Sequence, residues 1–262
     1  MATFAKVIPA RERSADPLAL ARAVVFSPIG GQGLVEQAVR RLGEAIGLGL
    51  LELGERLPPE SELAAELGIA PMTLRQALAI LREAGYLETR RGRAGGTFVR
   101  RAVPQPPARV ARRQLARLTV DELRDLTDFR RAVAGASAAL AAERATPSEI
   151  ATLRGVVERM ARPPRFDVFR RLDSRFHVAV ASAARSARLT AAEAGIQADL
   201  AGLLRLVPHP PEALRVSNQQ HRTVLEAIAR RRPDAARAVM EKHAQGTGDF
   251  LVGLRLGKVG DA

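Results

Sequence analysis

The chain has 262 residues, 47 % of them hydrophobic, enough for two domains with sizeable cores and too apolar for wholesale disorder. It lacks cysteine, which excludes a disulfide scaffold, a thiolate metal site and a cysteine nucleophile. The net charge of +13 suits a polyanionic partner, yet it divides as +3 over residues 1–104 and +10 over 105–262, so the sum alone locates no nucleic-acid site.

Residues 1–33 show no strong periodicity, end in Gly30-Gly31-Gln32-Gly33 and read as an N-terminal arm. Arg11, Glu12, Arg13 and Asp16 interrupt any signal-peptide core there. No apolar run anywhere approaches the roughly 20 residues of a membrane span. A soluble, cytoplasmic protein without membrane contact is expected.

From Leu34, the residues Val35, Ala38, Val39, Leu42, Ala45 and Ile46 recur at helical spacing. A turn at Gly54 and Leu57-Pro58-Pro59 precede a short helix over 60–67, stopped by Gly68. Pro71 suits the first turn of a third helix that runs to about Glu83, with Leu74, Ala77, Leu78 and Leu81 inward. Residues 86–90 and 96–100 read as two strands joined by a glycine-rich tip. Pro104, Pro106 and Pro107 mark an extended connector, so the linker is placed at 102–114.

Beyond it, helices are expected over 120–145, 147–161, 165–184, 189–206, 211–231 and 233–254. Thr119 with Glu122, and Thr146 with Glu149, fit capping boxes. The fold class is therefore mainly α. A winged helix-turn-helix of three helices and a small β-hairpin occupies 34–101, an antiparallel all-α bundle occupies 115–255, and 256–262 form a tail.

In the winged arrangement the third helix enters the major groove and the wing holds phosphates. The outward face of that helix carries Met72, Thr73, Arg75 and Gln76. Arginine pairs bidentately with guanine and glutamine with adenine, while threonine reaches a phosphate or a thymine methyl. Arg90, Arg91, Gly92 and Arg93 form a basic wing whose glycine permits close backbone approach to double-stranded DNA. Singly, each piece equally suits a solvated face; in this order they point to DNA.

The run Leu57-Pro58-Pro59-Glu60-Ser61-Glu62-Leu63-Ala64, then Leu67-Gly68-Ile69, Thr73-Leu74-Arg75-Gln76-Ala77-Leu78 and Gly85-Tyr86-Leu87, resembles the GntR signature, as does Gly96-Thr97-Phe98-Val99. The resemblance covers about residues 34–100. It departs at Ala70 and Pro71, where the family has Ser or Thr and then Arg. It departs again at Ser61, which stands where an arginine commonly reads DNA. Operator sequence therefore does not transfer from relatives.

Three of the four histidines form a pattern with one aspartate. Asp173 and His177 lie four apart on one predicted helix and share a face, while His221 and His243 lie on the next-to-last and last helices. Convergent, they would make a three-nitrogen, one-oxygen site suited to zinc, with nickel or manganese as further fits, and with an open position. The same spacing also suits an ordinary helix-surface pair. His209, between two prolines, reads as a loop residue.

The segments Asp125-Leu126-Thr127-Asp128-Phe129-Arg130, Asp173-x-x-Phe176-His177, His221-x-x-x-Leu225 and Met240-x-x-His243 resemble the FCD domain of FadR-like GntR regulators over about residues 115–250. That resemblance implies a divalent metal on Asp173, His177, His221 and His243. It also implies a small carboxylate effector beside the metal, with Arg130 as its partner. Arg130 read alone is equally a surface arginine. Ala134 and Ser186 replace a family glutamate and asparagine, so Ser186 is a second candidate effector contact and the relatives' ligands do not transfer.

The expected function is an effector-responsive transcription regulator, a repressor, acting as a homodimer on a pseudo-palindromic operator. The alternatives are a metal-dependent hydrolase-like enzyme, for which no nucleophile elbow, phosphate loop or motif-placed general base is present, and a metal-free ligand-binding regulator.

Overall fold

The computed structural model describes residues 18–92, 95–100, 113, 116–162, 166–204 and 211–256. Its N-terminal part is built from α2 (Leu34–Gly47), α3 (Glu60–Leu67) and α4 (Pro71–Glu83), followed by β1 (Leu87–Arg90) and β2 (Gly96–Val99). The apolar stripes of α2 and α4 face each other, burying Leu42, Ala45, Leu74, Ala77 and Leu78 in one core. The hairpin is antiparallel, with Leu87 opposite Val99 and Arg90 opposite Gly96. Leu87 and Val99 are buried, which anchors the wing while its tip faces outward. Pro71 opens α4, and no side chain caps that helix at Ala70, where the family's Ser or Thr would do so.

The expected arm is not wholly without structure. Ala19–Val25 form α1, with Leu18, Ala21 and Val25 buried. The helix packs on α2 and on two helices of the second part, Phe166–Ala183 and Ala187–Leu204. Arg41 donates to Val24 O at 3.3 Å and Val25 O at 3.2 Å, satisfying carbonyls at its C-terminus. Seven residues are too short for a helix to hold by propensity, so this one depends on tertiary packing that periodicity does not reveal. Of the linker expected at 102–114, only Arg113 lies within the described residues. The wing residue Arg93, His209 and the tail beyond Leu256 lie outside them.

The second part is six helices: α5 (Val120–Arg144), α6 (Pro147–Ala161), α7 (Phe166–Ala183), α8 (Ala187–Leu204), α9 (Pro211–Ala229) and α10 (Pro233–Arg255). Both capping boxes form. Thr119 N donates to Glu122 Oε2 at 2.7 Å and Glu122 N to Thr119 Oγ1 at 3.1 Å, and Thr146 and Glu149 repeat the pattern. Helices α5 and α10 pair along much of their length. Gly248 permits this, because a side chain there would collide with Thr127 of α5. No helix among the described residues is long and apolar enough to cross a membrane.

The two parts meet along α7. Arg175 donates to Gly49 O at 3.2 Å and pairs with Glu52, both in the segment after α2. A cavity of about 280 Å³ lies between them, lined by Glu44 and Tyr86 on one side and by Phe166, Arg170 and Gly202 on the other.

Candidate metal centre and DNA-binding surface

Helix α7 places Asp173 and His177 on its buried face one turn apart, as their spacing requires. His221 enters from α9 and His243 from α10, and all four side chains are buried. Each offers a ligand atom, and these atoms lie within 4.8 Å of one another. His243 Nε2 is 3.1 Å from His177 Nε2 and 3.2 Å from His221 Nε2, and His221 Nε2 is 3.4 Å from Asp173 Oδ1.

The electrostatics favour ligand forms. Burial drives His221 down to about 4 and holds His177 and His243 well below the usual imidazole range, so all three are neutral near pH 7. Burial alone would raise the Asp173 carboxyl. The Arg170 guanidinium, 2.6 Å from Oδ2, and the weaker field of Arg130 outweigh it and keep the group ionised.

His243 Nδ1 is 2.9 Å from Gln220 Oε1, an acceptor, so the proton of the neutral ring sits on Nδ1 and Nε2 carries a lone pair. That lone pair faces two further imidazole Nε2 atoms, and a cation is the partner such a cluster suits. The donor set of three neutral imidazoles and a carboxylate, with an outer partner orienting one ring, fits a divalent metal of the zinc type.

Arg130 is buried and does not lie on the surface. It reaches inward from α5, with its NH2 group 3.4 Å from His177 Nε2 and NH1 3.4 Å from Ala244 O. Burial lowers its pKa, opposed by the charges of Glu193 and Asp173. Ser186 is engaged elsewhere. It stands before α8, where its Oγ accepts from Leu189 N at 3.4 Å and its carbonyl from Thr190, so its place is a helix cap.

Four residues at the centre carry no motif in the sequence. Arg170 lies one turn before Asp173, Gln220 directly precedes His221, and Glu193 and Gln197 reach in from α8. Glu193 Oε1 is 3.8 Å from His177 Nδ1 and accepts from Gln197 Nε2 at 2.9 Å. Burial raises the Glu193 carboxyl and lowers His177, so this contact is not an ion pair of two charged groups.

On the winged part, Met72, Arg75 and Gln76 are exposed on the outer face of α4, Thr73 is half-buried beside them, and Ser61 is exposed at the start of α3. Arg75 Nε donates to Glu60 at 2.9 Å. Arg90 is held by Glu88 at 2.6 Å and lies 4.3 Å over the Phe98 ring. Exposed pairs of this kind are worth under about 1 kcal/mol, so phosphates or bases can displace them. Arg91 and Gly92 are exposed at the hairpin tip. Arg56, whose backbone bridges to Phe98, adds a cation beside the wing that no sequence pattern picked out.

Residues 34–99 match the family "Bacterial regulatory proteins, gntR family", and 125–246 match the FCD domain. The chain is 35 % identical over 220 residues to "Putative HTH-type transcriptional regulator RmpR" of Mycobacterium gastri, covering 83 % of this chain and 80 % of that one. It is 26 % identical over 223 residues to the Glc operon transcriptional activator of Escherichia coli K12, covering 81 % and 85 %. The solved structure of E. coli McbR/YncC shares the fold, with a TM-score of 0.53 at 18 % identity over 86 % of this chain and 99 % of that one. With its winged helix-turn-helix and helical FCD domain, the chain belongs to the gntR family of DNA-binding transcription regulators.

Proposed function

We propose that this regulator is a cytoplasmic repressor that binds a pseudo-palindromic operator as a homodimer and senses a small carboxylate at a metal centre. Asp173, His177, His221 and His243 hold the metal, zinc before nickel or manganese. The observation that carries the reading is the convergence of three neutral imidazole Nε2 atoms on one ionised carboxylate. A bound divalent cation would supply a positive, Lewis-acidic centre able to attract a carboxylate.

The His177 Nε2 lone pair serves either Arg130 or a metal, not both. With that lone pair taken, the Arg130 guanidinium is released to make a charge-assisted, bidentate contact with an anion. Arg130 thus contributes the second half of a carboxylate site, buried where the contact is not screened by water.

On the winged part, Thr73, Arg75 and Gln76 read bases while Ser61, Met72, Arg90, Arg91, Gly92 and Arg93 contact backbone or methyl groups. Two copies of α4 related by a two-fold axis match two half-sites of an operator. The sign of regulation follows from which arrangement of the two parts the effector favours.

The reading is tested by metal analysis of protein purified without added metal, combined with titration of a short carboxylic acid into the protein before and after chelation. About one metal per chain, lost in His177→Ala, with acid binding abolished by chelation, supports it. Protein without metal that still binds the acid supports the metal-free regulator in its place.

A further inference from the structure

The cavity between the winged part and the bundle contains none of the four metal-ligand candidates, and its walls have a chemistry of their own. Its volume of about 280 Å³ exceeds the roughly 150 Å³ of an apolar protein cavity that accepts benzene, so an aryl ring with a short chain fits. Ile46 and Leu48 form apolar wall on the winged side, with Tyr86 beside them, and Phe166 of α7 faces them from the bundle. Glycines keep the space open. Gly47 at the end of α2 and Gly202 on α8 both line it, and a Cβ added at either would meet nothing within 4 Å.

The charges on the walls are paired off except at one place. Arg170 is held by Asp173 at 2.6 Å, and Arg171 lies 3.7 Å from Asp167. Glu44, half-buried on α2, is different. Its carboxylate accepts no hydrogen bond among the described residues, and Arg40, its one ion-pair partner there, stands at 4.0 Å on an exposed side chain. The guanidinium of Arg41 is engaged by the carbonyls of Val24 and Val25. Burial lifts the Glu44 carboxyl above its ordinary value. Arg40 and Arg41 pull it back only in part, and Asp199, across on α8, adds to the rise. An ionised Glu44 therefore lacks the counter-charge that a partly desolvated carboxylate calls for.

We propose that this cavity is a binding site for a small arylalkylammonium ion, whose ammonium pairs with Glu44 and whose ring lies among Ile46, Leu48, Tyr86 and Phe166. Aromatic rings beside a carboxylate are the surroundings that organic ammonium ions favour. The site is distinct from the metal centre and takes a ligand of opposite charge to the carboxylate discussed above. Its walls come from both parts of the chain, α2 and Tyr86 on one side, α7 and α8 on the other.

The experiment is calorimetric titration of the full chain at pH 7 with 2-phenylethylamine and 2-phenylethanol, ligands of one shape that differ in a charged or neutral head. The amine is expected to bind about tenfold tighter than the alcohol, the margin of one charge-assisted contact. Glu44→Gln, which keeps the shape and removes the charge, should bring the two within about twofold by weakening the amine alone. Gly202→Leu, which places a side chain in the open space, should weaken both ligands at least tenfold, with helical circular dichroism unchanged.

No binding of the amine by the wild type overturns the proposal, as does an alcohol that binds as tightly as the amine. A preference for the amine that survives in Glu44→Gln overturns it by placing the ammonium elsewhere. Amine binding undiminished in Gly202→Leu overturns it by placing the ligand outside this cavity.

Discussion

Protein stripped of metal by a chelator is expected to lose about 2 kcal/mol of folding stability between pH 7 and pH 5 through His221 alone. Burial lowers this imidazole from the ordinary 6.5 to about 4. In that window the unfolded chain binds a proton that the folded chain does not. Stability rises with pH wherever the unfolded state binds more protons, so it falls on acidification and levels off near the folded value. His177 and His243 are lowered by the same burial and act in the same direction, while the raised Glu193 carboxyl acts against them. Asp173 offsets none of it, because its lowered carboxyl stays ionised across the window. The chain has no tryptophan, so the assay is urea unfolding followed by helical circular dichroism at both pH values, for wild type and His221→Gln. Stability independent of pH in the stripped wild type, or an acid loss that is undiminished in His221→Gln, would refute the buried neutral imidazole.

Arg170→Gln should destabilise the fold by about 3 kcal/mol at pH 7, since it strands the buried Asp173 carboxylate; its urea midpoint at unchanged slope is the measure. Arg75→Ala should leave stability within about 1 kcal/mol, because its pair with Glu60 is exposed. The same variant should lower affinity for operator fragments by about tenfold or more in gel-shift titrations, and equal affinity would remove Arg75 from recognition. Gly49→Ala should cost about 1–2 kcal/mol in thermal or urea unfolding. The position has φ +67°, and an added Cβ would lie 3.1 Å from Arg171 O.

Most of the architecture was legible because its signals are local. Thr119, Glu122, Thr146, Glu149, Pro147, Pro211 and Pro233 fix helix starts by hydrogen bonding and φ restriction within a turn, and the observed starts follow them. The four ligand candidates were legible for a similar reason: Asp173 and His177 share a face by spacing, and histidine is scarce enough here to stand out. The groups around them were not. Arg170 is one arginine among several near it, and only its 2.6 Å contact with Asp173 sets it apart. Glu193 and Gln197 meet His177 across two helices, a contact that exists only after the bundle has formed. Position alone does not show that the Ser186 hydroxyl caps a helix, since that contact needs the turn before Leu189 in place. The short α1 was missed because it is held by packing between the two parts of the chain.

Helix α7 touches both parts of the molecule. Its buried face presents Asp173 and His177 to the cluster, while Arg171 and Arg175 lie against Gly49 and Glu52 at the winged part. Arg170 belongs to both settings, since it holds Asp173 Oδ2 and lines the cavity that Glu44 and Tyr86 share. A helix is stiff over one turn, so a displacement at Asp173 large enough to change its coordination is also a displacement at Arg171 and Arg175. Packed interfaces of this kind respond by switching between discrete arrangements. The surplus positive charge of the second half contributes little here. Arg170, Arg171 and Arg175 lie within six residues of one helix, bracket the Asp173 carboxylate and reach both parts of the chain.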